Sequence, residues 1–275
     1  MQENVPVLGH RRLREPSLDR ILEFCARDPI ERVFIEDVAR RGLGRFTAMD
    51  RDGTITALCH VGANVVPSGE ACERFADVAV RGRPRMVIGE EAAVSALWEA
   101  AADRLPAPRD DRPGQPVYAL TEPPEPGGTG LRPATLDDLE RLVPACAAAH
   151  QEEIGIDPLE RDPDGFRWRT RAQIEDGRSW LWLEDGVIRF KSEASAWTPS
   201  AVQLQQVWTD PEARGRGYAT RALQDLCRFL LERVPTVCLF VRRRTTRRWR
   251  CTSASGWSGR TRTGPCSSSV GDLAG

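Results

Sequence analysis

Apolar residues along the chain follow two different spacings, and these spacings predict where helices and strands lie. A period of three to four residues is typical of helices, and strict alternation with polar residues is typical of strands. In the first half, the two patterns predict helices at residues 18–25, 29–38, 71–80 and 90–102. They also predict a hairpin at residues 46–59 and a short strand at residues 86–88. Asp50-Arg51-Asp52-Gly53 is a sequence typical of the hairpin turn.

The second half contains a similar succession of elements. The same patterns predict helices at residues 135–146, 166–175 and 216–233. They also predict a hairpin at residues 179–193 and strands at residues 201–209 and 237–241. Thr135 with Asp138 three residues later is typical of the capped start of a helix. Two copies of one α+β unit are therefore a hypothesis, although the sequence shows no residue-level repeat.

A Pro- and Gly-rich segment separates the two halves. It reads Glu122-Pro-Pro-Glu-Pro-Gly-Gly-Thr-Gly130, which fits neither a helix nor a central strand, and it is predicted to be a linker. We therefore predict the α+β class with two domains. The predicted parts are an N-terminal domain (1–120), a linker (121–130), a C-terminal domain (131–241) and a tail (242–275).

Composition excludes several classes of protein. No apolar run approaches the roughly 20 residues of a membrane helix, and the N-terminus lacks the pattern of a signal peptide. The chain contains eight cysteines, widely spaced and without a C-x-x-C pair, which argues against a zinc site or a disulfide framework. We expect a cytoplasmic protein with free thiols, no metal site and no membrane partner.

The segment that joins strand 201–209 to helix 216–233 has the features of an anion site. A helix N-terminus presents unpaired amides and the positive end of the helix dipole. Gly215 and Gly217 leave those amides open to an anion, and Arg214 and Arg216 add positive charge. The pattern is neither a Walker A loop nor G-x-G-x-x-G. A glycine-rich turn with solvated arginines remains the alternative interpretation.

The wider sequence resembles the GNAT family of N-acetyltransferases. Arg214-Gly-Arg-Gly-Tyr-Ala219 fits R-x-x-G-x-A, the motif with which that family binds the diphosphate of an acyl-CoA. Four other stretches resemble a bacterial subgroup that carries a domain of unknown function before the transferase domain: 63–67, 115–116, 150–158 and 190–193. The resemblance implies a mixed sheet flanked by helices in the C-terminal domain. The N-terminal domain is hypothesised to be a degenerate GNAT-like unit.

The resemblance implies acetyl-CoA as the cosubstrate. It places the end of the strand along the pantetheine arm and the following loop around the diphosphate. The implied binding residues are Val207, Trp208, Thr209, Arg214, Gly215, Arg216, Gly217, Tyr218, Ala219 and Thr220. The N-terminal half lacks R-x-x-G-x-A, so we expect no acetyl-CoA there. Acceptor recognition and contacts in a homodimer are two hypotheses for that half.

Acetyl transfer needs a base for the amine and a donor for the oxyanion. Glu152 and Glu153 precede Ile154-Gly155, next to the expected acceptor groove, and either is a candidate base, directly or through water. The alternative is a solvated pair of charges. Glu193 is a third candidate and shares a strand face with Lys191, with which an ion pair is the alternative. An amide near Thr209 is the expected oxyanion donor.

The tail, residues 242–275, has no helical or strand period and contains eight Arg and one Asp. A disordered basic tail and a nucleic-acid arm are two interpretations. We favour a third, a shift of reading frame, because the neighbouring frame of GC-rich codons resembles the family's N-x-x-A-x-x-L-Y-E-x-x-G-F segment. That segment supplies a tyrosine often assigned as general acid, whereas the chain contains only Tyr118 and Tyr218.

The leading functional hypothesis is transfer of an acetyl group from acetyl-CoA to an unidentified primary amine. A module that binds CoA without turnover is the alternative, and the missing tyrosine favours it. Binding of nucleic acid through the basic tail is the least favoured hypothesis.

Overall fold

The computed structural model describes residues 13–241 and the backbone of residues 258–260. Contacts divide the chain into two compact units, and the boundary lies between Gln115 and Pro116. The predicted linker, residues 121–130, therefore lies inside the second unit. Within the described residues, no helix has the length and apolar character that crossing a bilayer requires.

The first unit has four helices and a five-stranded sheet among its described residues. The elements are β1 (Leu13–Arg14), α1 (Leu18–Ala26), α2 (Val33–Arg40), β2 (Arg45–Arg51), β3 (Thr54–Val61), β4 (Asn64–Gly69), α3 (Ala76–Gly82), β5 (Met86–Val87) and α4 (Glu91–Ala101). The strand order is β1-β2-β3-β4-β5, and only β4 and β5 run parallel. The predicted helices and hairpin are present, but α2 begins four residues after the predicted start at Pro29, and residues Cys72–Phe75 of the helix predicted at 71–80 form a 3-10 helix.

The sequence patterns miss two strands of the first unit, the two-residue β1 and the longer β4. Pro67 lies inside β4, and a proline removes a backbone donor from a ladder. The parallel pairing of β4 with β5 involves only Asn64 and Val65. Pro67 therefore lies beyond that ladder, opposite Cys59 on β3, where a missing N–H on the outer edge is tolerated.

The second unit has a seven-stranded sheet. Its elements are β6 (Val117–Leu120), β7 (Arg132–Pro133), α5 (Leu139–Ile154), α6 (Pro158–Arg161), α7 (Pro163–Glu175), β8 (Ser179–Glu184), β9 (Val187–Trp197), β10 (Val202–Thr209), α8 (Tyr218–Leu231), β11 (Val237–Phe240) and β12 (Ser258–Arg260). The strand order is β12-β6-β11-β10-β9-β8-β7. All neighbours are antiparallel except β10 and β11.

Five strands of the second unit repeat the topology of the first. The order β7-β8-β9-β10-β11 has the same succession of antiparallel neighbours and the same final parallel pair as β1 to β5. Helices follow the first strand and precede the last strand in both units. The hypothesis of two copies of one α+β unit is therefore confirmed at the level of topology.

Strand β6 lies within the range predicted for the N-terminal domain, yet it belongs to the second sheet. It pairs with β11 on one side and with β12 on the other. Thus β11 is an interior strand. Three residues of the predicted tail, Ser258–Arg260, form β12, so the expectation of disorder does not hold for them. The remainder of the predicted frame-shifted tail lies outside the described residues.

The faces of the second sheet carry two separate apolar cores. On one face, Leu226, Cys227 and Leu230 of α8 pack with Trp180 and Val202. On the other face, α5 and α7 pack with β8 and β9; the buried residues include Leu142, Cys146, Phe166, Ile174, Leu181 and Ile188. The apolar face predicted for helix α8 is therefore confirmed.

The Pro- and Gly-rich segment is fastened to α8. Asp225 accepts hydrogen bonds from the backbone N–H groups of Gly127 and Thr129, at 2.7 and 2.8 Å, and from the Thr129 hydroxyl at 2.6 Å. Arg221 donates to the carbonyls of Gly127 and Gly128, each at 2.8 Å. Gly127 lies so close that a Cβ there would come within 1.9 Å of the Arg221 carbonyl oxygen.

Replacing Gly127 with alanine should destabilise the second unit, because a backbone oxygen of α8 occupies the position of the new methyl group. Overpacking of this kind costs about 1–3 kcal/mol. Chemical denaturation of Gly127→Ala measures the loss. Gly130→Ala is the matched control, since a Cβ at Gly130 would lie 3.6 Å from the Trp182 ring, an ordinary van der Waals distance. Equal stability of the two variants would contradict this close approach.

The start of α5 is fixed by a buried carboxylate. The predicted capping box is present, with Asp138 accepting from the Thr135 N–H at 2.9 Å. Arg132 donates two further hydrogen bonds to the same carboxylate, at 2.7 and 2.8 Å. These hydrogen bonds lower the pKa of Asp138 from 3.8 to about 2, although burial opposes the shift. The bonds from Arg132 make the largest contribution.

This shift predicts an acid-sensitive contribution to stability. A carboxylate whose pKa is lower in the folded state stabilises it above the unfolded pKa, and the contribution is lost as pH falls from about 4 to 2. Asp138→Asn should lower the free energy of unfolding by about 1–2 kcal/mol at neutral pH and flatten its decline over that interval. Asp137→Asn, at an exposed neighbour, is the control and should retain the wild-type pH profile.

Candidate active site

Strands β10 and β11 part after three paired residues. Val202, Gln203 and Leu204 pair with Val237–Leu239, and the parallel ladder ends there. β10 continues to Thr209, paired only with β9 among the described strands. The second edge of residues 205–209 therefore offers backbone groups to a ligand. An extended arm with amide groups, such as pantetheine, matches such an edge.

A β-bulge interrupts β10 at the same place. Gln205 is opposite Glu193 and Trp208 is opposite Lys191, so two residues of β10 face the single residue Ser192. Gln206 adopts a left-handed conformation with φ of 50°. A bulge leaves its extra residue outside the ladder. The amides at residues 206–207 are therefore candidates for holding a developing oxyanion, in place of the predicted amide near Thr209, which is in register with Phe190.

The chain after β10 turns sharply into α8. Asp210 accepts from the Glu212 N–H at 3.1 Å and fixes a short 3-10 helix at Pro211–Ala213. Gly215 and Gly217 have φ of 76° and 82°, a region in which glycine is favoured. α8 then begins at Tyr218, and the N–H groups of its first turn have no intrahelical acceptor. The turn thus presents amides and the positive end of the helix dipole together.

The ten predicted cofactor residues form one continuous surface in the second unit. The end of β10 and the first turn of α8 are half-buried, and the loop between them is exposed. The end of β10 contributes Val207, Trp208 and Thr209, and the first turn of α8 contributes Tyr218, Ala219 and Thr220. The loop contributes Arg214, Gly215, Arg216 and Gly217. The motif residues 214–219 therefore lie at the candidate anion site, and residues 207–209 lie on the strand end that leads to it.

Glu152 holds Arg214 in this surface. The Arg214 guanidinium donates to both oxygens of Glu152, at 2.6 and 2.9 Å, and to the Thr209 carbonyl at 3.1 Å. The indole N–H of Trp208 donates to the same carboxylate at 3.2 Å. Glu152 therefore organises the binding loop, a role that the sequence patterns did not predict for it.

Glu153 lies against the bulge. The Gln206 side-chain amide donates to its carboxylate at 2.5 Å. Both Glu152 and Glu153 are exposed at the end of α5. The two predicted acids thus differ in environment: Glu152 accepts from a cation and an indole, and Glu153 accepts from a neutral amide beside the bulge.

Glu193 is buried on the face of β9 that packs against α5. Lys191 donates to it at 2.8 Å, and the Cys146 thiol donates to the same oxygen at 3.1 Å. Burial raises the pKa of Cys146 to about 12. Burial by itself lowers the pKa of Lys191, but Glu193 and Cys146 outweigh that effect and leave the pKa raised. The ion pair considered as the alternative role for Glu193 and Lys191 is present.

Tyr218 packs against the β8–β9 hairpin. Its hydroxyl donates to Glu184, and its ring lies 4.6 Å from that of Trp182, centroid to centroid. The hydrogen bond with Glu184, followed by burial, raises the pKa of Tyr218. Arg189 completes this cluster through an ion pair with Asp210. Tyr218 therefore braces the start of α8 against the β8–β9 hairpin.

Several site residues were missed by the sequence patterns. Gln206 carries no local signal for a bulge, because neither glycine nor proline marks the turn of the strand. Glu184, Arg189 and Asp210 are ordinary surface charges in the sequence and come together only through the fold. Among the described residues, no group of three His, Cys, Asp or Glu side chains could hold a metal ion.

The equivalent position in the first unit is occupied differently. Where β4 leaves β5, the Glu90 carboxylate accepts from the Ser68 hydroxyl at 2.5 Å and from Arg32 at 3.3 Å. The Gly69 N–H also points to it, at 3.4 Å. An internal carboxylate thus lies beside the end of β4, beyond its pairing with β5. We retain the expectation that this unit has no acetyl-CoA site.

Comparison with known families agrees with this geometry. Residues 144–250 match the acetyltransferase (GNAT) family, and residues 44–142 match a domain of unknown function, DUF4081. A comparison with curated proteins gives no match. The second unit thus has the architecture of an acyltransferase domain. The match to the acetyltransferase (GNAT) family falls in the second unit, and the match to DUF4081 begins before it along the chain.

Solved structures share the fold over both units. A GCN5-related N-acetyltransferase from Sphaerobacter thermophilus has 19% identity and a TM-score of 0.56, covering 92% of this chain and 93% of its own. A GNAT acetyltransferase from Colwellia psychrerythraea has 11% identity and a TM-score of 0.53, covering 90% and 96%. A tandem GNAT protein from the clavulanic acid biosynthesis pathway has 12% identity and a TM-score of 0.54, covering 92% and 94%. At these identities the similarity shows the fold.

Proposed function

We propose that this protein transfers an acetyl group from acetyl-CoA to a primary amine. The observation that supports this most directly is the meeting of the open edge of β10 with the N-terminus of α8. The edge suits the pantetheine amides, and the first turn of α8 suits the diphosphate. Arg216, exposed in the loop, adds a positive charge for the same anion.

The chemistry requires three steps at one carbon atom. The neutral amine nitrogen attacks the thioester carbon, the carbonyl oxygen becomes an oxyanion, and the carbon–sulfur bond then breaks to release a thiolate. Amides at the bulge of β10 would stabilise the oxyanion as it forms. The amine gives up a proton to a base, and the thiolate takes up a proton to leave as CoA.

We assign Glu153 as the general base. It lies beside the bulge and accepts from Gln206, so it would meet an amine that approaches the acetyl group there. Glu152 already accepts three hydrogen bonds from Arg214 and Trp208, and we assign it to hold the binding loop. Glu193 is buried and paired with Lys191, so we no longer propose it as a base.

A module that binds CoA without turnover is the second candidate. The specific observation in its favour is that Tyr218 is engaged with Glu184, so it is not placed to protonate the thiolate. If the reading frame shifts as the tail sequence suggests, the complete protein has a further tyrosine. Sequencing the gene across the codons for residues 238–258 decides this point, and thiol release over a panel of primary amines separates the two functions.

The anion site predicts a loss of affinity when Gly217 is replaced by leucine. The new side chain would project over the first-turn amides, and φ of 82° disfavours any side chain there. The Kd for CoA, measured by titration calorimetry, should rise at least about tenfold, which corresponds to losing one charge-assisted hydrogen bond. Gly53→Leu is the matched control, with φ of 80° and no neighbour within 4 Å. Unchanged affinity in Gly217→Leu would show that the diphosphate binds elsewhere.

The assignment of Glu153 predicts a selective loss of turnover. Glu153→Gln should lower kcat by about 100-fold or more, the usual contribution of a general base. Its Kd for acetyl-CoA should stay within about twofold of wild type, since the base contacts the acceptor. Glu160→Gln, at an exposed acid of α6, should behave as wild type. Full turnover by Glu153→Gln with any amine of the panel would exclude this base.

A further inference from the structure

The face of β9 toward α5 carries a fully buried cation. Lys191 has no exposed surface, and Glu193 beside it is 9% exposed. The Lys191 ammonium donates to Glu193 at 2.8 Å and contacts the Cys146 sulfur at 3.3 Å. We call these three side chains the buried cluster. Its members come from α5 and β9, and an apolar core surrounds them.

Lys191 is the one lysine in a chain with 39 basic residues of the Lys and Arg types. All the other residues of these two types are arginines. A compact ammonium concentrates its charge on a single atom, whereas a guanidinium is a broad planar group. The cluster therefore uses the property that distinguishes lysine, since its single Nζ reaches both Glu193 and Cys146.

The buried cluster lies directly beneath the bulge of β10. Glu193 is in register with Gln205, and Lys191 is in register with Trp208. The two charged residues thus mark the two ends of the bulge, and residues 206 and 207 of β10 lie between them, opposite Ser192. On β9, only Ser192 lies between Lys191 and Glu193.

Stability alone does not account for such a pair. Removing two charges from water costs as much as their attraction returns, and well-packed apolar residues often do as well or better. The bulge, in contrast, needs support from outside, because Gln206 has a left-handed φ that residues other than glycine rarely adopt. A pair with fixed geometry at both ends of the bulge supplies that support.

We propose that Lys191, Glu193 and Cys146 form a positioning device that holds the bulge of β10 in place for the acetyl carbonyl. This inference rests on the proposed function. The same device fixes α5, because Cys146 and Glu153 lie seven residues apart on one helix face. Locking Cys146 against β9 therefore sets where Glu153 meets Gln206, and the cluster aligns the base with the oxyanion site.

The test separates positioning from stability. Lys191→Met leaves Glu193 buried without its cation, so its melting temperature should fall. The double variant Lys191→Met with Glu193→Met replaces the pair by apolar groups and should recover most of that temperature. Its Kd for acetyl-CoA should nevertheless rise about tenfold, while its Kd for CoA, which has no acetyl carbonyl, should stay within twofold. Titration calorimetry with CoA and acetyl-CoA measures both.

A milder variant and a control complete the experiment. Cys146→Ala keeps the ion pair and should weaken acetyl-CoA binding about threefold in the same selective way. Ile174→Ala removes core volume on α7, which packs in the same core, and should lower the melting temperature while changing both dissociation constants equally. A double variant that binds acetyl-CoA as tightly as wild type would overturn the inference alone. If wild-type protein binds neither CoA nor acetyl-CoA, the proposed function fails, and this inference fails with it.

Discussion

The separation of two parallel strands is the constraint on which the second unit depends. β10 and β11 share only three residue pairs, and the rest of β10 keeps one edge without a strand neighbour among the described residues. Backbone groups left outside a ladder must find other partners. A ligand that carries its own amides, as we propose, would satisfy that need. The loop that follows then has to turn at once into α8, so the helix N-terminus meets the same opening.

Around this opening, charged side chains hold the loop and the start of α8 in place. Glu152 binds Arg214, Asp210 pairs with Arg189, and Tyr218 binds Glu184. Each contact holds one segment of the loop or of the first helical turn. Acids beside the proposed anion site therefore have a structural role, since they hold the arginines and the start of α8 in place.

The two units show how one topology serves different ends. Both have a strand that leaves its parallel neighbour early. In the second unit, glycines and arginines follow that strand. In the first, Glu90 already accepts hydrogen bonds from Ser68 and Arg32 at the corresponding place. The difference lies in a few loop and terminal residues, which is where function resides on a shared fold.

The sequence by itself determined the elements with a strong local period and the chemistry of the loop. Amphipathic α8, the β8–β9 hairpin and the Arg214–Ala219 motif depend on neighbours within a few positions, so their patterns are visible along the chain. Strand β4 was missed because Pro67 breaks the pattern, and the short strand β6 was missed because its partner β11 lies far away in sequence. Tertiary structure alone decided the bulge, the burial of Lys191 with Cys146, and the contact of Arg214 with Glu152. These contacts join residues 45 and 62 positions apart, and no local pattern records which distant side chains a fold brings within hydrogen-bonding distance.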